Sequence, residues 1–168
     1  MLFSSDSRAL YDRADMDHIE PMTDELYQAG GCTALPDAAG GAVRHIGNVH
    51  KYAREEDRPG KTIFVITTDG YENSSRHCGD DQVQRIIKRQ QERYGWEFLF
   101  PSADMDTIAA ARSFGIREDR AVRYCADAAG TGLQFDVVGR AATGFREKAG
   151  ISPDWQKDIE EYYRRRGK

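Results

Sequence analysis

The chain has 168 residues, 39% of them hydrophobic and 31% charged, with a formal net charge of −4 at pH 7. A single domain of this length buries about two thirds of its unfolded surface, and a net negative charge provides no general attraction to nucleic acid or to an anionic membrane. No apolar run is long enough to span a bilayer, no signal peptide is visible, and the three separated cysteines match no metal or redox motif. We expect a reduced, cytoplasmic protein that binds neither nucleic acid nor membrane. A truncated extracellular module is the alternative.

The first half of the chain predicts two strands, a helix and a third strand. The apolar start MLFSS predicts one strand, and a second short one is expected around Ala9–Asp12. After a glycine loop, apolar residues recur at steps of three and four, with Pro36 in the first helical turn. That helical face comprises Leu35, Ala39, Val43, Ile46, Val49 and Ala53. The run TIFVITT is apolar or β-branched throughout, which is typical of a parallel strand covered on both faces.

The second half continues this alternation. A helix with Asp80 or Asp81 as its N-cap is expected to bury a face comprising Val83, Ile86, Ile87, Gln90 and Tyr94. WEFLFPSA and AVRYCA predict two strands, and the helix between them should begin after Asp106 and end at Gly115.

Two helices are expected at the C-terminal end. The buried face of the first should comprise Phe135, Val138, Ala142 and Phe145. The second should begin with Ser152 as cap and Pro153 at its first position, with Trp155, Ile159 and Tyr162 on one side. Residues 1–150 are predicted to form the domain, and residues 151–168 a charged terminal helix.

Strands that alternate with helices predict a three-layer α/β/α domain around a mostly parallel, Rossmann-like sheet. In such sheets the functional residues lie where strands end. Asp69 ends the strand TIFVITT, where a carboxylate is costly unless another group takes up its charge. The loop GGCT should open onto the same edge. Thr33 and Asp69 are therefore predicted to be neighbours in space.

Three stretches together resemble the von Willebrand factor A domain, also called the integrin I-like domain. They are GGCTALPDAAGGAV, FVITTDGYENSS and YGWEFLFPSADMDTIAAARSFGI, and the resemblance, to the small bacterial type, covers most of residues 1–146. It implies a metal-ion-dependent adhesion site that holds Mg²⁺ or Mn²⁺, with Thr33 and Asp69 as metal ligands. A hard cation prefers oxygen ligands, and one open position would accept an acidic group from a protein partner.

The sequence departs from this family at its start. The family's first strand and its Asp-x-Ser-x-Ser loop, on the order of 30 residues, are absent before MLFSS. A start site assigned too late, a truncated gene and a strand supplied by another chain would each explain this. We expect weak metal binding, no better than about millimolar. We also expect self-association through the exposed edges of the MLFSS and TIFVITT strands.

Each candidate residue also has a purely structural interpretation. Asp69 could simply begin a loop, and Thr33 could be the N-cap of the helix that follows. Asp104 and Asp106 form an acidic pair near the predicted edge, where Asp106 is better explained as an N-cap. No phosphate-binding glycine loop or nucleophile elbow is present, so an enzyme is not expected. A hydrolase or phosphotransferase that uses Asp69 is the alternative function.

Overall fold

The structure, a computed structural model, describes residues 1–23, 25–26, 33–69, 75–103, 106–147 and 150–166. The strands are β1 (Leu2–Phe3), β2 (Ser7–Arg8), β3 (Ile63–Val65), β4 (Glu97–Ser102) and β5 (Ala121–Arg123). The helices are α1 (Leu35–Tyr52), α2 (Asp80–Tyr94), α3 (Thr107–Ser113), α4 (Ala128–Glu147) and α5 (Lys157–Arg166). Short 3₁₀ turns cover Met16–His18, Glu55–Asp57 and Glu118–Arg120.

Strands β3, β4 and β5 form a parallel sheet in that order, with β4 in the centre. The pairing of β3 with β4 extends beyond the regular strand through a bridge between Thr68 and Ser102. This confirms the predicted mixed α/β class with a parallel sheet. The described part of the chain contains no helix of the length and apolar content needed to cross a membrane.

The two N-terminal strands form a separate antiparallel pair. The second strand lies at Ser7–Arg8, so its predicted position around Ala9–Asp12 is wrong. The amide of Ser4 donates to the carbonyl of Asp6 over 2.8 Å, and this tight turn brings the chain back onto β1 immediately. Among the described residues β1 pairs with β2 and not with β3.

Helices pack on both faces of the parallel sheet, as the alternation of side chains along β4 shows. Phe98 and Phe100 belong to a core cluster shared with α1, α2 and α3. Leu99 points to the opposite face and joins a second cluster, with residues of α4 and α5. All three side chains are fully buried, which explains why this strand is apolar without interruption.

Helices α1 and α4 run antiparallel to the strands, so both begin at the carboxyl edge of the sheet. Near the end of α1, the ring of His50 lies 5.0 Å from that of Trp96, which directly precedes β4. Near the end of α4, the carbonyl of Phe145 accepts a hydrogen bond from Lys61, just before β3, over 2.7 Å. The opposite ends of both helices therefore lie where the strands end, and this positions the candidate site.

The buried face of α4 differs from the prediction. It comprises Gly130, Gln134, Val137, Ala141 and Phe145, so Phe145 is confirmed, whereas Phe135 is 62% exposed. The predicted positions Phe135, Val138 and Ala142 are each offset by one from this face, although Val138 is partly buried against the same core cluster. The difference arises because a glycine and a glutamine face the sheet, and neither is recognised by a hydrophobic pattern.

Two helix starts also differ. Helix α2 has Gly79 at its N-cap position, so Asp80 and Asp81 lie in its first turn and neither is the cap. Helix α5 begins at Lys157, because the residues from Pro153 form a turn first. Ser152 nevertheless organises that turn, since its hydroxyl and carbonyl accept hydrogen bonds from the amides of Asp154 and Trp155.

Candidate functional site

Asp69 lies where the sheet ends, as predicted. The amide of Thr68 donates to the carbonyl of Pro101 over 3.4 Å, and the carbonyl of Thr68 accepts from the amide of Ala103 over 3.0 Å. Asp69 follows directly, and its side chain is exposed. A carboxylate at this place remains in water and avoids the cost of burial that its sequence context suggested.

Thr33 is half-buried and precedes α1. Ala34 occupies the N-cap position of that helix, so Thr33 lies one residue before it and is not the N-cap residue. The amide of Ala34 donates to the carbonyl of Ser4 over 2.9 Å, which connects the start of α1 to the end of β1. Because α1 begins at the carboxyl edge, Thr33 and Asp69 belong to the same edge of the sheet.

The described residues include no group of three or more histidine, cysteine, aspartate or glutamate side chains that could hold a metal ion. Asp104 and Ser74 lie outside the described residues.

Asp106 occupies the position before α3, as expected, and Gly115 follows that helix with a φ of +71°. A left-handed conformation of this kind favours glycine and ends the helix.

Asp37 holds the segment that follows the Asp69 loop, a role that the sequence did not reveal. Its carboxylate accepts hydrogen bonds from the backbone amides of Arg76 (2.8 Å), His77 (3.0 Å) and Cys78 (2.6 Å). Its own amide donates to the hydroxyl of Ser75 over 3.3 Å. The first turn of α1 is thereby fixed to the chain that enters α2.

The electrostatics of Asp37 agree with this geometry. Burial would raise the pKa of its carboxyl. The hydrogen bonds from the three backbone amides outweigh that effect and lower the pKa below its ordinary value. An aspartate after Pro36 at the start of a helix is a signal for helix-dipole stabilisation. That signal does not identify the partners, which lie 39 to 41 residues further along the chain.

Close packing also holds α1 against residues 76–78. A Cβ atom on Gly40 would lie 2.8 Å from Sγ of Cys78, so glycine allows α1 to approach the segment that Asp37 holds. Cys78 is buried, and Cys78 and Cys125 are free cysteines. Cys32 lies outside the described residues.

A buried amide lies beneath the carboxyl edge. Gln134 of α4 is completely buried, and its Nε2 donates to Oγ1 of Thr67 over 3.4 Å, a long hydrogen bond. Thr67 lies two residues after β3 and two residues before Asp69, so α4 contacts the chain between the strand and Asp69. Sequence reasoning missed Gln134 because a polar residue on a buried helical face has no periodic signal.

Asp127 forms a second polar junction at this edge, beyond β5. Its carboxylate accepts from the amide of Gly130 over 2.7 Å and from the hydroxyl of Tyr162 over 3.0 Å. The amide of Gly130 is the main cause of the lowered pKa of the Asp127 carboxyl, with smaller contributions from Tyr162 and Arg166. This aspartate caps α4 and attaches α5 to it, so its role in the described structure is structural.

Comparison with protein-family models, with curated proteins and with solved structures finds no match to this chain. The class that the fold defines is an α/β domain with a parallel sheet. Its candidate site is the carboxyl edge of that sheet, which contains Thr33, Asp69, the half-buried Thr67 and the buried Gln134.

Proposed function

We propose that this chain is a protein-interaction module of the von Willebrand factor A type, with a Rossmann-like α/β/α architecture. In this proposal Thr33 and Asp69 bind Mg²⁺ or Mn²⁺ at the carboxyl edge of the sheet. The cation then recognises an acidic group on a partner protein. The cation supplies an electrophilic centre when it is bound, and this chain supplies oxygen atoms from different loops.

One observation carries the proposal: an exposed aspartate directly follows the Thr68–Ser102 bridge that extends β3, at the edge where α1 also begins. Asp69 and Thr33 are 36 residues apart in the sequence, and each adjoins an element that packs in the apolar core. Neither side chain contributes to the apolar core. A carboxylate and a hydroxyl at the end of a parallel strand suit a hard cation that prefers oxygen ligands.

The residues at this edge provide oxygen ligands, which suit such a cation, but their small total charge implies weak binding. Asp69 contributes one negative charge, and a Mg²⁺ ion that loses few of its waters is seldom held by a single carboxylate. The amide oxygen of Gln134 has no hydrogen-bond partner among the described residues, and it is an oxygen donor of the kind that a hard cation accepts. We expect affinity for Mg²⁺ no better than about millimolar, or roughly 4 kcal/mol of binding free energy.

Titration calorimetry with MgCl₂ and MnCl₂ tests this proposal. We expect weak binding in the natural chain and none in Asp69→Ala, while Asp80→Ala, at the exposed start of α2, should leave binding unchanged. In a pull-down, retention of an acidic peptide should require the metal and Asp69. Micromolar affinity that survives Asp69→Ala would overturn the site.

A second assay separates the alternative function. Turnover of a generic phosphate ester that is lost in Asp69→Asn would support a hydrolase or phosphotransferase instead. Metal-dependent retention of the acidic peptide without turnover would support the interaction module.

A further inference from the structure

Gln134 has a buried oxygen atom for which the described residues offer no partner. Its side chain is fully buried, and its Nε2 is bonded to Thr67, but its Oε1 accepts no hydrogen bond from any described residue. An amide oxygen left in this state costs about 1–3 kcal/mol. A buried polar atom of this kind is explained either by a bound water, ion or ligand, or by local strain in the fold.

The position of this oxygen connects it to Asp69. Side chains alternate along β3: Phe64 belongs to the cluster with α1, and Ile63 to the cluster with α4. Gln134 donates to Thr67, so Thr67 faces α4, and the hydrogen bonds that continue through Thr68 keep the chain extended as far as that residue. In an extended chain, residues two apart such as Thr67 and Asp69 have Cα atoms about 7 Å apart and side chains on one face, here the face on which α4 places Gln134.

We propose that Oε1 of Gln134 and Oγ1 of Thr67 are neutral ligands of the cation that Asp69 binds. The inference rests on the proposed function and deepens it. It adds α4 to the metal site, although α4 and α1 lie on opposite faces of the sheet. A carbonyl oxygen, a hydroxyl and a carboxylate are all oxygen donors of the kind that Mg²⁺ and Mn²⁺ accept.

The buried location explains why a neutral residue is used here. A second carboxylate at position 134 would be completely buried and strongly penalised in the absence of metal. A glutamine provides a polarised oxygen without a charge. Asp127, whose carboxylate caps the first turn of α4, offsets the positive end of that helix, which would otherwise disfavour a cation nearby.

The test compares thermal unfolding with and without MnCl₂, together with Mn²⁺ affinity measured by electron paramagnetic resonance. Gln134→Leu removes the unpaired oxygen and keeps the volume nearly constant, so the metal-free protein should melt at the same temperature or higher. Its Mn²⁺ affinity should fall at least tenfold. Gln134→Glu should lower the melting temperature without metal and raise the Mn²⁺ affinity.

Gln156 provides a matched control, because its amide oxygen is also buried and unpaired among the described residues, but it precedes α5. Gln156→Leu should leave Mn²⁺ affinity unchanged. Thr67→Val should weaken Mn²⁺ binding in the same way as Gln134→Leu.

The outcomes distinguish this inference from the proposed function. Mn²⁺ binding that is lost in Asp69→Ala but unchanged in both Gln134→Leu and Gln134→Glu would overturn the inference and leave the proposed site intact; the buried oxygen would then hold only a water molecule. The inference and the proposed site would both be overturned if the natural chain did not bind Mn²⁺. They would also both be overturned if Mn²⁺ binding were unchanged in the variants of Asp69 and of Gln134.

Discussion

At the scale of single residues, Asp37 shows how one carboxylate can hold the segment of chain that enters a helix. The three amides that it accepts belong to consecutive residues, Arg76 to Cys78, and lie between the Asp69 loop and α2. Consecutive amides that point at one carboxylate form charge-assisted hydrogen bonds, which are stronger than bonds between neutral groups. This anchor keeps residues 75–78 beside the first turn of α1.

Replacement of Asp37 should therefore destabilise the protein. Asp37→Asn keeps the shape of the side chain but removes its charge and one acceptor oxygen, so at least one amide loses its bond. We expect a loss of about 1–3 kcal/mol in the free energy of unfolding, measured in urea. Asp80→Asn, an exposed aspartate in the first turn of α2, should change stability by less than about 0.5 kcal/mol. Equal effects of the two variants would contradict the anchoring role.

The same residue predicts a dependence of stability on pH. The pKa of Asp37 is lowered in the folded state, so the unfolded chain takes up its proton first as the pH falls. Its stabilisation is fully present above the ordinary aspartate pKa of about 4 and is lost as the pH falls through the folded pKa. Urea unfolding of the natural chain and of Asp37→Asn should differ most near neutral pH, and less with each step below about pH 4. A difference that grows with acidity would exclude this explanation.

At the scale of elements, α4 is positioned by two polar contacts and a glycine. Gln134 joins its second turn to β3, and Asp127 caps its first. Gly130 is buried, and a Cβ atom there would collide with the backbone carbonyl of Cys125. The helix can approach the end of β5 this closely only because the side chain is absent.

Two glycines of α4 should respond oppositely to the same substitution. Gly130→Ala forces the helix away from Cys125, and we expect destabilisation of about 1–3 kcal/mol or more. A Cβ atom on Gly139 would meet nothing within 4 Å, so Gly139→Ala should stabilise the protein by up to about 1 kcal/mol. Thermal unfolding of both variants checks the pair. A neutral Gly130→Ala would show that the close approach is unnecessary.

At the scale of the whole molecule, the two groups of strands share a core, and within the described ranges no strand of one group pairs with a strand of the other. Phe3 of β1 and Phe64 of β3 pack against the same cluster of α1, α2 and α3. In the described residues β3 pairs only with β4, and Val65 at this edge is 38% exposed. An unpaired strand edge with an exposed apolar side chain is a template for pairing with another chain.

We therefore propose that the chain self-associates through the edge of β3. Val65→Lys places a charge on that edge and should shift the protein toward monomer in light scattering. Ile108→Lys, on an exposed position of α3 with similar accessibility, should leave the association unchanged. A monodisperse monomer in the natural chain at high concentration would count against the proposal.

The sequence by itself determined the order and type of most elements, because apolar periodicity reports burial directly. Helix α1 with Pro36 in its first turn, the apolar strand β4, and Asp69 at the end of the β3 segment all follow from local pattern. Only the tertiary structure decided which polar groups act together. Asp37 binds amides about 40 residues away, and Gln134 reaches Thr67 across 67 residues. Such contacts form because packed helices and strands bring distant residues together, and hydrogen bonds between distant residues leave no periodic signal in the chain.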